Sequence, residues 1–368
     1  MKDLAKLNIL YFTRTMELGG TENVILQLCE IFSPVVNNIV VCSCGGVNVK
    51  KLEAMGIKHY TIPDIENKGF NTILNVLKIL KKIVKNENIN IIHTHHRMAA
   101  FYVTLLNLYK KCVFINTSHN TFSNKITLTR YAYKHASIVA CGEMVKNNLV
   151  GIFGLPDKQV TVIHNAVKPF DKEVTIDPFI SKLHEQGYLI IGNVGRLSEQ
   201  KGMEYFINAI PVIKNKIKNV KFVIIGSGED ENKLKDLVKD LNLEDDCYFL
   251  GYRSDIQNLM SQLDLIVLSS LWEGLPLTPI EAFSVGKTIV ATAVDGTVEI
   301  IDDKVNGLLI SPKNSNAISE SVISLLSDEL ERHDYEIAAK RTYEKEFSFS
   351  SFADKYRSYY KEKIHEFK

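Results

Sequence analysis

The stretch LIVLSSLWEGLPLTPIEA, residues 265–282, carries an apolar run, then a polar turn rich in glycine and proline, then the opening of a helix. Residues 265–268 are apolar and partly β-branched, as a buried strand requires. Thr278 reads as the N-cap, Pro279 as the first helical residue, and Glu281 as the partner that closes a Thr-x-x-Glu capping box. Strand, turn and helix in this order form the repeating unit of a parallel sheet with helices on both faces.

The same unit recurs outward in both directions. Before it, strands are predicted at 7–12, 38–42, 59–62, 89–93, 112–117, 137–141 and 160–163, and then at 188–194, 221–225 and 247–250; after it, at 288–291 and 307–310. The pattern lapses from Pro169 to Gln186, which reads as a linker. The chain is thus expected to be α/β, with one Rossmann-like domain over residues 1–170 and a second over 187–345. A last helix, about 348–368, has Phe349, Phe352, Tyr356, Tyr359 and Tyr360 on one side, and such a stripe must pack on something.

Composition narrows the class. With 368 residues, 45% apolar and 24% charged, the chain resembles an ordinary globular protein of about two domains. No uncharged apolar run reaches the ~18 residues that cross a bilayer, and the charges within residues 1–9 occupy the place of a signal-peptide core. A cytoplasmic location is expected. The six cysteines (Cys29, Cys42, Cys44, Cys112, Cys141, Cys247) lie mostly in apolar surroundings and lack zinc-ligand pairing, so they read as reduced core thiols.

The net charge of +1 hides an asymmetry. Residues 1–170 hold 17 Lys and 3 Arg against 3 Asp and 7 Glu, a balance of +10, which leaves −9 for the remainder. Lys78, Lys81, Lys82 and Lys85, interleaved with Ile79, Leu80, Ile83 and Val84, form a basic amphipathic helix. Its composition fits a solvated face and an anionic membrane surface equally. The basic half carries no groove-reading motif, so no nucleic-acid partner is expected.

Ligands of open α/β sheets bind beyond the carboxyl ends of the strands. After the first strand, Gly19-Gly20-Thr21-Glu22 opens a helix, and paired glycines let backbone approach an anion closely. No GxGxxG follows, which removes the main support for a nicotinamide enzyme. In Gly195-Arg196-Leu197-Ser198-Glu199-Gln200-Lys201-Gly202, Arg196 and Lys201 suit a diphosphate clamped from two sides, although solvated surface cations are the common alternative. Glu281 has a structural explanation in the capping box. Glu273 has none, because no helix end needs it. Carboxylates that accept from sugar hydroxyls, beside amides that take phosphate, point to a nucleotide sugar.

Glu273 and Glu281, seven residues apart within EGLPLTPIE, together with GRLSEQKG, GGTE and His119, resemble the motif set of the family 4 glycosyltransferases of the GT-B fold. The resemblance runs over nearly the whole chain. It implies two Rossmann-like domains facing across a cleft, a nucleotide-sugar donor on the second, an acceptor on the first, and a C-terminal helix that crosses back to the first domain. It also implies transfer with retention of configuration. Arg196 and Lys201 then match the pair on the donor diphosphate, Glu281 the ribose carboxylate, and Glu273 the residue on the transferred sugar. Backbone around Gly274, Leu275, Leu277 and Thr278 would hold sugar and phosphate. Gly20 and Gly195 lie in loops near the phosphate, His119 close to the reacting sugar, and Gly251-Tyr252-Arg253 where the backbone reads the base.

Further expectations follow from that resemblance. The donor is a substrate, family frequency favours UDP, and neither cofactor nor metal is expected. His93 and His95 share a strand face, but His96 points away and no carboxylate is near, so the cluster makes a poor metal site. The Gly226-Ser227-Gly228-Glu229 loop reads mainly as a turn. A lipid-linked or growing saccharide acceptor in surface-polysaccharide assembly, at the inner face of the membrane, fits the basic half. A soluble sugar synthase, a sugar-nucleotide epimerase and a noncatalytic binder are the rival readings.

Overall fold

The computed structural model describes residues 4–367, so the charged start at Lys2 and Asp3 lies outside the described residues. The chain forms two compact units, the first ending at Asn165 and resuming at Ala353, the second running Ala166–Phe352.

The first unit holds seven strands: β1 (Asn8–Phe12), β2 (Asn38–Ser43), β3 (Lys58–Thr61), β4 (Ile91–Thr94), β5 (Val113–Ser118), β6 (Ser137–Ala140) and β7 (Val160–Val162). All pair in parallel, in the order β3-β2-β1-β4-β5-β6-β7. Every residue of β1 and β4 is buried, as helices on both faces of a parallel sheet demand. The edge strand β3, by contrast, has both end residues exposed. The winding runs outward from β1 to β3 and then returns beside β1 at β4, so the strand order reverses between β1 and β4.

The second unit repeats the plan with β8 (Leu189–Val194), β9 (Val220–Ile225), β10 (Cys247–Gly251), β11 (Leu265–Leu268), β12 (Ile289–Thr292) and β13 (Leu308–Ile310). The order is β10-β9-β8-β11-β12-β13, all parallel, and here the reversal falls between β8 and β11. All thirteen strands stand where the sequence pattern places them, within a residue or two at each end.

Two expectations need correction. The region 169–186 is not linker throughout: Pro178–Glu185 is a helix, capped by the Asp177 carboxylate, which accepts from the amides of Phe179 and Ile180. Proline at its first position costs no hydrogen bond there. The second unit consequently begins at Ala166, ahead of the expected 187.

The last helix, Phe349–Phe367, carries the expected aromatic stripe, with Phe352, Tyr356, Tyr359 and Tyr360 buried. From Ala353 on, its residues belong to the first unit. Tyr360 stacks on Phe32 with ring centroids 4.3 Å apart, and its hydroxyl lies 2.6 Å from His93 Nδ1. The other imidazole nitrogen, Nε2, is 2.7 Å from Thr117 Oγ1. His93 is therefore a fully satisfied core residue.

Candidate functional site

The reversal in each sheet opens a crevice at the carboxyl ends of the two central strands, the place where open α/β sheets bind ligands. In the second unit that place holds Lys201, which follows β8, and Glu273, which follows β11. Lys201 Nζ lies 2.6 Å from Glu273 Oε1, and both side chains are largely buried. Ser270 Oγ donates to the same carboxylate oxygen at 2.6 Å, and Gln200 Nε2 reaches the other at 3.5 Å.

Backbone packing builds this pair. Gly195 lies against the Lys201 stem, where a Cβ would sit 3.3 Å from Cε. A Cβ on Gly202, whose φ is +54°, would come within 2.4 Å of the Ser269 carbonyl oxygen, so both loops approach closely only because that position has no side chain. The Asp295 carboxylate accepts the Glu273 amide at 2.8 Å. This anchor could not be read in the sequence, because β12 and the loop after it had first to be placed beside β11.

Glu281 departs from the sequence reading in an informative way. The helix runs Leu277–Ser284 with Pro276 at the N-cap, no side-chain cap, and Thr278 inside the first turn, its hydroxyl directed to the Val194 carbonyl at 3.5 Å. There is no capping box. The Glu281 carboxylate has no hydrogen bond or ion pair among the described residues, and burial pushes its carboxyl up to about 7, opposed by the nearby Lys201 charge. The structural explanation that the sequence offers for it disappears. At this helix start the amides of Leu277 and Thr278 lack intrahelical acceptors. Those of Gly274 and Leu275 have no backbone acceptor among the described residues.

Two cations are placed otherwise than expected. Arg196 is exposed and pairs with Glu229, its Nη2 3.0 Å from Oε2, while Lys201 is drawn into the ion pair. The Gly226–Glu229 loop therefore supplies a partner for Arg196, and Gly226 lies so close that a Cβ would meet the Gly195 carbonyl oxygen at 1.9 Å. Arg253 is held by Asp177 at 2.9 Å and Asp255 at 2.7 Å, so its guanidinium is structural and only the turn backbone is left for a ligand.

In the first unit, the reversal between β1 and β4 opens a cavity of about 270 Å³ lined by Arg14, Thr15, Glu22, His95, Arg97 and His119, among others. His119 follows β5. Gly20 is the first residue of the helix Gly20–Phe32, exposed and with open space where a Cβ would stand. The three histidines of the 93–96 run diverge: His93 faces Tyr360, His95 Nδ1 meets His119 Nε2 at 3.1 Å, and His96 accepts from the Met98 amide. Among the described residues no group of His, Cys, Asp or Glu could hold a metal ion. The sequence signal for His95 is its place directly after β4, at the strand-order reversal.

This architecture, with the same winding in both units, is the GT-B fold. Residues 177–342 match the family model described as glycosyl transferases group 1, and residues 18–169 match glycosyltransferase family 4. The chain belongs to the family 4 glycosyltransferases. It is 26% identical over 356 residues to an Escherichia coli UDP-Gal:alpha-D-GlcNAc-diphosphoundecaprenol alpha-1,3-galactosyltransferase, covering 89% of each chain. A glycosyltransferase from Rickettsia africae shares the fold with a TM-score of 0.87 at 24% identity, covering 98% of this chain and 99% of that one. Anabaena HepE, solved in complex with UDP, does so with a TM-score of 0.82 at 20% identity, covering 97% of this chain and 100% of that one.

Proposed function

We propose that this glycosyltransferase moves a sugar from a UDP-sugar to a hydroxyl of a lipid-linked saccharide, with retention of configuration. The observation that carries the reading is the second unit's crevice: a buried lysine with a carboxylate partner, beside a second carboxylate and a run of amides that have no protein partner among the described residues. Lys201 and the amides around 274–278 suit a diphosphate, and Glu281 suits the hydroxyls of a ribose. UDP in the HepE complex and the diphosphoundecaprenol acceptor named for the E. coli relative support the choice of donor and acceptor.

In the reaction the bond from the anomeric carbon to the diphosphate oxygen breaks, and the acceptor oxygen forms its bond on the same face. The acceptor proton passes to the leaving phosphate. Positive charge placed where phosphate charge grows lowers the barrier, and Lys201 supplies it by exchanging Glu273 for the phosphate. Glu273, so released, is free to accept from a hydroxyl of the transferred sugar. Arg196 pairs with the solvent-exposed Glu229 carboxylate, a contact that a diphosphate oxygen can replace.

The acceptor's lipid would place the first unit at an anionic membrane. No helix of the described residues is long and apolar enough to cross one. On the helix Phe70–Asn86, Val76, Leu80 and Ile83 are buried, while Phe70, Leu74, Lys78, Lys81, Lys82 and Lys85 are exposed along one face. Lysines near an anionic surface contribute about 1 kcal/mol each. Incubating the protein with UDP-sugars and a diphosphoundecaprenol-linked saccharide should extend the lipid-linked product. Release of free sugar from the donor, or a product only on soluble sugars, would overturn the acceptor assignment. Salt-sensitive sedimentation with phosphatidylglycerol vesicles tests the membrane face, and no sedimentation at low salt would remove it.

A further inference from the structure

The peptide unit joining Trp272 to Glu273 is gripped at both ends by side chains from distant segments. Its carbonyl accepts from Gln200 Nε2 at 3.0 Å, and its N–H donates to Asp295 Oδ2 at 2.8 Å. Gln200 follows β8 and Asp295 follows β12, so the turn after β11 is braced from both neighbouring strands. The end of β12 adds a further brace, since Thr292 Oγ1 donates to the Ser270 carbonyl at 2.6 Å.

Asp295 makes its bond from an unusual backbone conformation. Its φ is +37°, whereas the six other non-glycine residues at positive φ among those described lie between +48° and +61°, at or near the left-handed basin. Glycine reaches such a φ without the cost that a Cβ brings. A strained residue persists where its surroundings over-determine it, and such residues gather at functional sites. The next position shows how tight the fit is: a Cβ on Gly296 would lie 1.9 Å from the Gly274 carbonyl oxygen and 3.0 Å from Leu275 Cα. The loop after β12 is thus wedged against the run of amides that begins at Gly274, and Asp295 is its link to Glu273.

Glu273 needs such a hold. Lys201 Nζ and Ser270 Oγ share its Oε1, each at 2.6 Å, and exchange of Lys201 from Glu273 to a diphosphate takes the cation away. A carboxylate free to follow the lysine would stand against the phosphate oxygens as a like charge. Fixed at its own amide, with Ser270 still donating to Oε1, Glu273 keeps its carboxylate in place while the cation moves.

We propose that Asp295 is a positioning residue for sugar transfer: by accepting the Glu273 amide it keeps that carboxylate aimed at the transferred sugar when Lys201 changes partner. The role rests on the donor-site reading above and extends it to a residue that acts through Glu273 alone. It requires an acceptor oxygen at residue 295 and no charge there.

Two substitutions and two readouts test it. Asp295→Gly removes the acceptor and suits a positive φ, so the variant should fold; Asp295→Asn keeps an acceptor oxygen and tolerates that φ. Turnover is measured with whichever of UDP-glucose, UDP-galactose and UDP-N-acetylglucosamine the parent uses on a diphosphoundecaprenol-linked saccharide. Asp295→Gly should lower kcat by about 10-fold or more with the donor KM unchanged, because the defect is misplacement and not lost binding. Asp295→Asn should restore kcat. The second readout is Trp272, the chain's one tryptophan and 47% exposed, whose carbonyl belongs to the held peptide unit. Acrylamide should quench its fluorescence more steeply in Asp295→Gly than in the parent or in Asp295→Asn. Parental kcat in Asp295→Gly overturns the proposal. So does an Asp295→Asn variant as impaired as Asp295→Gly, or a raised KM together with a lowered melting temperature, which marks a merely structural role. If the parent transfers none of the three sugars, the donor-site reading fails on that result, and unchanged quenching in Asp295→Gly would separately overturn the hold on Glu273.

Discussion

The two strand-order reversals occupy equivalent places in two sheets of the same winding, yet their chemistry is opposite. In the second unit a lysine and a glutamate neutralise each other in a largely buried pair. In the first, neutral imidazoles and hydroxyls line the cavity, and the few charges are matched in number. A shared backbone plan fixes where a ligand can sit, and the residues that follow the strands decide what kind of ligand it is.

The sharpest way to break this contrast is to remove the charge. Lys201→Ala should lower transfer by about 10²-fold or more, because growing phosphate charge loses its nearest buried cation. The same change strands the Glu273 carboxylate, at a cost of about 3 kcal/mol in stability. The double variant Lys201→Met with Glu273→Gln should recover melting temperature and not turnover. Turnover near that of the parent in Lys201→Ala would remove the ionic site from the reaction.

The next test addresses the opposite face of the same contrast, since in the first unit the buried His93 is satisfied by protein groups at both nitrogens. Tyr360→Phe leaves His93 Nδ1 without its partner and should cost about 1–3 kcal/mol, read from the denaturant midpoint. UDP affinity should not change. A weakened UDP response would show that the two regions are not chemically separate.

A smaller effect concerns Glu281. Burial raises its carboxyl to about 7, so the folded chain keeps a proton that the unfolded chain has already released. Stability attributable to this residue therefore falls as pH climbs from the ordinary glutamate range to about 7. Glu281→Gln should gain on the parent by on the order of 1 kcal/mol between pH 5 and pH 8 in melting experiments. If the carboxylate accepts from ribose, UDP binding should release protons near pH 7, measurable by calorimetry in buffers of different ionisation heat. Uptake of protons, or none exchanged, would take Glu281 out of the nucleotide site.

The smallest effect is expected at Arg196. Its side chain is 71% exposed and its partner Glu229 57%, so Arg196→Ala should change stability by less than about 0.5 kcal/mol. Any loss of UDP affinity in that variant then reports on ligand contact alone.

The sequence made the sheets legible because buried parallel strands impose runs such as 265–268 that few other structures need. It was weaker wherever two distant segments meet. Lys201 and Glu273 are 72 residues apart, and their pairing follows from β8 lying next to β11, a neighbour relation that local periodicity does not encode. His95 and His119 come together for the same reason, through β4 and β5. The capping box failed by a shift of two residues: Pro276, extended at ψ 136°, starts the helix and carries Thr278 inside it. At the expected linker the signal was present, since Asp177-Pro178 is a helix start, but the surrounding charges obscured it. Arg253 was assigned to a base-reading turn although Asp255, two residues on, already offered it a carboxylate.

The final helix has a consequence for synthesis. Tyr356 and Tyr360 complete the first unit from the far end of the chain, so that unit is discontinuous in sequence. A ribosome has emitted every strand of both sheets before the residues that close over His93 and Thr117 exist. The half made earliest is finished last, and a fragment ending at Asn165 should emerge with those two polar groups still open to water.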